Sequence, residues 1–215
     1  MELRGRWRIL LTPALMLVCV VLAFARGEPW QYLSLAALFI CWMGDALLLE
    51  LSAATRCVRN PQHARMLALS AADAVFSAAL SRAMEAMPAR HLRTPGMYYG
   101  AELVTWLPPA FVLGGVLLWL WWVFRRTIPW QSKAVMLLFL TMRSVLSGMA
   151  FCAAFVGNGV RPAVALGGVL LFVSAGVETA HSAVENTQEG LADMLEWTTR
   201  MLGMALLATG IAGLY

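Results

Sequence analysis

The chain alternates between long apolar runs and short polar connections. A helix that spans a bilayer needs about 20 mostly apolar residues, and seven runs of the sequence approach or exceed that length. We predict spans over residues 9–25, 31–51, 64–86, 101–124, 133–156, 162–180 and 194–214. The pattern therefore predicts an all-α fold, in which residues 1–215 form a single polytopic bundle of about seven transmembrane helices.

The third run differs from the others because it is rich in alanine and serine. Small residues let helix backbones approach closely in lipid, so we expect this helix to lie inside the bundle. Aromatic residues at span ends are typical of anchors at the membrane interface. The residues expected in that role are Trp7, Trp30, Trp130 and Tyr215.

Composition supports a membrane environment. Only 13% of the residues are charged, against about 25% in soluble domains, and the mean hydropathy is +0.71. The pI of about 9.2 does not indicate nucleic-acid binding, because the basic residues lie in short connections, where they orient a protein in its membrane. Nine of them against five favour an N-terminus inside, in the inner (cytoplasmic) membrane. The expected partner is the lipid bilayer, and a homo-oligomer remains open.

Charged residues inside the apolar runs are the first functional-site hypothesis, led by Asp45. A charge at bilayer depth costs roughly 2.5–3.5 kcal/mol on insertion scales, so such a residue needs a polar cavity or a partner. With the N-terminus inside, these residues all fall in the inner half of the bundle or near mid-depth. They are Asp45, Asp73, Arg143, Glu178, Glu196 and Arg200. We expect a polar cavity that opens to the cytoplasm; the alternative is that ion pairs, for example Asp45 with Arg143, hold the helices together.

An acidic stripe follows at helical spacing near the C-terminus. It comprises Glu178, His181, Glu185, Glu189, Asp193, Glu196 and Arg200. It predicts either an extension of span six or seven or two helices that meet near Gly190. Di-metal carboxylate bundles use Glu-x-x-His motifs in pairs, whereas Glu178-x-x-His181 is a single one. The four cysteines form no C-x-x-C pair, so we expect neither a disulfide framework nor a metal or other cofactor.

Several of these runs resemble the YhhN-type lysoplasmalogenase family in order and spacing. The run YLSLAALFICWMGDALLLEL is similar to its Gly-Asp helix, and Thr12-Pro13 precedes it where the family has Lys-Pro. The run PAFVLGGVLLWLWW resembles its middle helix, and RPAVALGGVLLFVSAGVETA resembles the helix that carries Gly-x-x-x-Phe-x-x-Ser-Asp. The resemblance covers almost the whole chain, without the first of the family's eight spans.

The resemblance implies hydrolysis of the vinyl ether bond of a lysophospholipid-like amphiphile by two intramembrane carboxyl groups. It implies Asp45 as one of them. The family's second aspartate falls on Ala175, and its histidine falls at or next to Asp73, so Glu178 or Asp73 would supply the second carboxyl. Substrate contacts would come from Arg143, Arg200 and Glu196.

The departures from the family pattern keep a second function open. The chain could be a non-catalytic membrane protein that binds a lipid or another small amphiphile as a sensor or partner subunit. A third candidate is a proton-coupled transporter, since intramembrane acids also mark proton pathways. No internal repeat supports the transporter, and seven spans do not divide into inverted halves.

Overall fold

The structure of the chain is helical throughout its described part. The computed structural model describes residues 12–21, 27–54, 60–86, 98–155, 162–183 and 189–212, and no strand occurs in these ranges. The helices are α1 (Thr12–Val21), α2 (Pro29–Ala54), α3 (Pro61–Ala86), α4 (Tyr98–Trp119), α5 (Trp130–Phe155), α6 (Pro162–Ala183) and α7 (Glu189–Ala212). A π-helical turn, Leu120–Phe124, continues α4. The all-α prediction is confirmed for these residues.

Four helical segments of the described part are long and apolar enough to cross a membrane. They are Pro61–Glu85, Trp106–Phe124, Trp130–Ala154 and Pro162–Ala183. The predicted number of seven spans is therefore not confirmed. These four segments are compatible with an integral membrane protein.

The starts of the helices follow from the local sequence. Pro29, Pro61 and Pro162 are each the first residue of their helix, where the missing N–H costs nothing and the fixed φ suits the helix. Asn60 precedes α3, and its Oδ1 accepts a hydrogen bond from the His63 backbone N–H at 3.4 Å, as an N-cap residue does.

Small hydroxyl residues occur inside these apolar helices without unpaired polar atoms. Their hydroxyl groups donate to the carbonyl oxygen four residues earlier, which satisfies the group within its own helix. The residues that do so are Ser34, Ser70, Ser77, Thr141, Ser144, Ser147, Thr179, Thr199 and Thr209.

Neighbouring helices pair as antiparallel hairpins: α2 with α3, α4 with α5, and α6 with α7. Helix α5 contacts its hairpin partner α4 and also packs against α3 and α6, so it links the three hairpins. Half of the apolar stretch of α3 is buried, a share similar to that of α5 and α6 and larger than the 17% of α4, so α3 is one of three helices that lie partly inside the bundle. Helices α2 and α7 touch only sparsely, which leaves a seam between the α2–α3 and α6–α7 hairpins.

The two predicted interfacial anchors that the structure describes differ in their exposure. Trp130 is 66% exposed, as expected, whereas Trp30 is 6% exposed and packs into the hydrophobic core. The anchor prediction is therefore wrong for Trp30, because the start of α2 is covered by its neighbours. Trp7 and Tyr215 lie outside the described residues.

Candidate functional site

Five charged side chains meet at the seam between the two hairpins. We call this set the Arg65 cluster; its members are Asp45, Arg65, Glu178, Glu196 and Arg200. Asp45 comes from α2, Arg65 from α3, Glu178 from α6, and the other two from α7. Each residue lies in the part of its helix nearest the α2–α3 and α6–α7 connections. Antiparallel pairing brings those ends to the same side of the bundle.

Arg65 is the centre of the cluster, because its guanidinium bonds three carboxylates from three helices. Its Nε donates to Asp45 Oδ1 at 3.2 Å, and its Nη2 donates to Glu196 Oε1 at 3.0 Å. Its Nη1 donates to Glu178 Oε1. Hydrogen bonds between charged groups are stronger than those between neutral groups, so one side chain ties three helices to α3.

Arg200 closes the cluster from α7. Its Nη1 donates to Asp45 Oδ1 at 2.8 Å, so Asp45 accepts from two guanidinium groups at one oxygen. Its Nε lies 3.4 Å from Glu196 Oε1, one turn earlier in the same helix, but this atom makes no hydrogen bond of good geometry. The contact is therefore an electrostatic one.

The five residues carry three carboxyl groups and two guanidinium groups. If all were ionised, the cluster would hold one uncompensated negative charge. Two carboxylate oxygens, Asp45 Oδ2 and Glu178 Oε2, are buried without a hydrogen-bond partner among the described residues. A buried charge without compensation is costly, so the cluster is suited to hold one proton, and its unpaired oxygens are suited to give and take it.

The predicted cavity is filled rather than open. The cluster side chains are buried, with Arg65 the most exposed at 8%. The charged groups of the cluster pair with one another, and its two unpartnered carboxylate oxygens are themselves buried, so the cluster lines no opening to solvent. The expectation of a cytoplasmic cavity is therefore wrong, because an additional arginine occupies the space between the carboxylates.

A second ion pair lies apart from the cluster, between α3 and α5. Arg143 Nε donates to Asp73 Oδ2 at 2.7 Å, and both side chains are almost fully buried. The Arg143 guanidinium also lies 5.4 Å from the centre of the Phe139 ring. The suggested pairing of Asp45 with Arg143 is therefore wrong.

The structure thus brings four of the six predicted site residues together: Asp45, Glu178, Glu196 and Arg200. It places Asp73 and Arg143 with each other instead. The acidic stripe divides between α6, which ends at Ala183, and α7, which begins at Glu189, before the predicted start of span seven; Gly190 lies within α7, and Glu185 lies outside the described residues. Among the described side chains, no group of three or more His, Cys, Asp or Glu is arranged to hold a metal ion.

Arg65 is the member that the sequence pattern did not reveal. It stands near the start of an apolar run, where arginine is expected in the polar connection to the preceding span. Its spacing is the signal that could have revealed it: Arg65, Leu69 and Asp73 recur every four residues and all lie on the buried face of α3.

No protein-family model, no curated protein and no solved structure matches this chain. The chemistry of the Arg65 cluster therefore rests on its own geometry.

Proposed function

We propose that the chain is an integral membrane hydrolase, similar to lysoplasmalogenases, that cleaves the vinyl ether bond of a lysolipid at the Arg65 cluster. One observation carries the proposal. Asp45 and Glu178, far apart in sequence, bind the same guanidinium, and each keeps one buried oxygen without a partner. Paired carboxyl groups with different charge states are what acid-catalysed cleavage of a vinyl ether needs.

The roles follow from the number of cationic partners. Glu178 bonds one guanidinium and Asp45 bonds two, so Glu178 is the better holder of the proton and Asp45 the better carboxylate. Glu178 would protonate the vinyl carbon remote from the ether oxygen, which leaves an oxocarbenium ion stabilised by Asp45. Water then adds to the cation and loses a proton to a carboxylate. The resulting hemiacetal collapses to a fatty aldehyde and a glycerophospho-alcohol, which keeps the former ether oxygen as a hydroxyl group.

The position of Glu178 supports its role as the second carboxyl group. Ala175, which stands where the resemblance implies an aspartate, is fully buried on the same face of α6, one turn before Glu178. The Glu178 carboxyl group therefore lies one helical turn nearer to the α6–α7 connection than the carboxyl group of an aspartate at position 175 would. A single-chain lipid would reach it along the seam between the α2–α3 and α6–α7 hairpins, where helix packing is sparse.

The test is aldehyde release from lysoplasmalogens by the purified full-length chain in detergent or nanodiscs. We expect turnover in the native chain and at least a hundredfold loss, about 2.7 kcal/mol, in Asp45→Asn and in Glu178→Gln. The Arg82→Gln variant changes an exposed residue outside the cluster and should keep full turnover. A folded native protein that releases no aldehyde, or an equally active Glu178→Gln variant, contradicts the proposal.

The second candidate is a non-catalytic protein that binds a lipid-like amphiphile on the same fold. The bond of each of the three carboxylates to Arg65 favours it, because groups held in ion pairs are poorly placed to react. In that case Asp45→Asn changes the affinity for a lysolipid, measured by native mass spectrometry, and no aldehyde forms with either protein.

The proposal includes seven spans, with the N-terminus on the cytoplasmic side of the inner membrane. The four apolar helical segments support a membrane location, and the other helices would complete the bundle. An odd number of spans puts the C-terminus on the opposite side. A C-terminal reporter that is active only outside the cytoplasm should therefore be active, and a C-terminal fluorescent protein that matures only inside should stay dark. The reverse result contradicts this topology.

A further inference from the structure

The turn between α4 and α5 carries positive charge that forms no ion pair among the described residues. Arg125, Arg126 and Lys133 lie in or beside this turn, and the sequence has no acidic residue between Glu102 and Glu178. Lys133 Nζ donates to the carbonyl oxygen of Phe124 at 2.9 Å, which caps the end of the π turn. The two arginines are exposed to the surroundings, and no ion pair of theirs occurs among the described residues.

The same turn is rich in exposed aromatic side chains, and contacts of its tryptophans link it to neighbouring residues. Trp121 and Trp130 are 65% and 66% exposed. The Arg125 guanidinium lies 4.8 Å from the centre of a Trp121 ring, and Trp119 Nε1 donates to the Lys133 carbonyl oxygen at 2.9 Å. Exposed tryptophans beside basic residues are typical of the level of lipid head groups.

An apolar groove begins beside this turn. It has a volume of about 260 Å³ and lies between the end of α4 with its π turn and the face of α6, with Leu140 of α5 at its base. Its lining includes Leu118, Trp122, Val173 and Val177. Complete small-molecule sites start at about 300 Å³, so the groove suits a segment of an acyl chain rather than a whole polar ligand.

Groove and charge lie on one continuous strip. Trp122 lines the groove from within the π turn, and the exposed Arg125 and Arg126 follow directly after that turn. A molecule that lies in the groove therefore meets the arginines at its end. The occupant must be apolar along its length and negative at one terminus.

We propose that this strip is a binding site for an anionic phospholipid of the surrounding bilayer. One acyl chain occupies the groove of Leu118, Trp122, Val173 and Val177, and Arg125 and Arg126 bind the head group. Charge complementarity selects the anionic lipid, because no carboxylate of the neighbouring sequence competes for the arginines. The site lies on the outer face of α4 and α6, apart from the Arg65 cluster, and does not depend on hydrolysis there.

The test is native mass spectrometry of the full-length chain with phosphatidylglycerol or phosphatidylcholine of identical acyl chains. We expect the first phosphatidylglycerol to bind about tenfold more tightly than phosphatidylcholine, within what two basic residues at an anionic surface contribute. The double variant Arg125→Gln/Arg126→Gln should bind both lipids equally. The variant Arg125→Lys/Arg126→Lys should keep most of the preference.

The groove is tested separately through Gly176, which lines it. A Cβ placed there meets no atom within 4 Å, so Gly176→Leu adds a bulky apolar side chain to the lining of the groove from a position with open space around Cβ. It should weaken the binding of both lipids and leave the ratio of their affinities unchanged. The matched control is Arg82→Gln, which removes an exposed arginine from α3 and should change neither affinity. Equal binding of the two lipids by the native chain, or an equal loss of preference in Arg82→Gln, overturns the proposal.

Discussion

Replacing Arg65 by glutamine tests whether the buried cluster holds the two hairpins together. Among the described residues of the Arg65 cluster, three hydrogen bonds cross the seam between α2–α3 and α6–α7: Arg65 to Glu178, Arg65 to Glu196, and Arg200 to Asp45. The Arg65→Gln substitution removes the first two, together with the bond from Arg65 to Asp45. It also leaves three carboxyl groups with one guanidinium.

The expected loss of stability follows from those bonds and that charge. Polar contacts between membrane helices average about 0.6 kcal/mol, so three of them account for about 2 kcal/mol. Removing one partner of a buried ion pair usually costs about 3–5 kcal/mol, because the remaining charge stays buried without compensation. We therefore expect Arg65→Gln to lower the free energy of unfolding by about 3–5 kcal/mol.

The measurement is reversible unfolding of the purified chain in mixed micelles, followed by tryptophan fluorescence. Arg82→Gln is the control, because the Arg82 side chain is 70% exposed and pairs with Glu85 within one helix. Such surface pairs contribute up to about 1 kcal/mol. The double variant Arg65→Gln/Glu178→Gln removes both partners of one buried hydrogen bond and should recover about 1 kcal/mol or more of the single variant's loss.

Two results would refute this reasoning. If the free energies of unfolding of Arg65→Gln and Arg82→Gln differ by less than about 1 kcal/mol, the cluster is solvated and does not hold the hairpins together. If the double variant is as unstable as the sum of its single variants, Arg65 and Glu178 are not coupled, and the bond between them carries no energy.

Two further predictions use the same unfolding assay. Asp73→Asn and Arg143→Gln should each cost about 3–5 kcal/mol, and their double variant should cost less than their sum, because the two side chains are buried and bonded to each other; strict additivity would contradict the pairing. Gly167→Ala should cost about 1–3 kcal/mol, since its Cβ would lie 2.9 Å from the Gly203 carbonyl oxygen and push α6 from α7. Gly176→Ala, with open space around its Cβ, should be neutral or slightly stabilising, and an equal loss in both variants would refute the packing argument.

The sequence by itself determined the helical class of the fold and most helix positions. The run of residues 31–51 predicted α2, which extends from Pro29 to Ala54, and the run of 133–156 predicted α5, from Trp130 to Phe155. Apolar length and the position of proline are local properties. A helix in an apolar environment satisfies its own backbone, so these properties suffice to place it.

The sequence also marked most of the charged residues that gather at the seam, because a carboxylate within an apolar run needs a partner wherever the run packs. The sequence did not determine which of these charged residues form ion pairs with each other. Asp45 was matched with Arg143, whereas the fold gives Arg143 to Asp73 and gives Asp45 to Arg65 and Arg200.

Only the tertiary structure decided those partners and whether the polar space is open. Pairing depends on which helices are neighbours and on the depth and rotation of each, and none of these is encoded within a single run. The position of Arg65 shows the difference. From the sequence, Arg65 is expected in the connection before its helix. In the fold its side chain points into the bundle, where the guanidinium lies between three carboxylates.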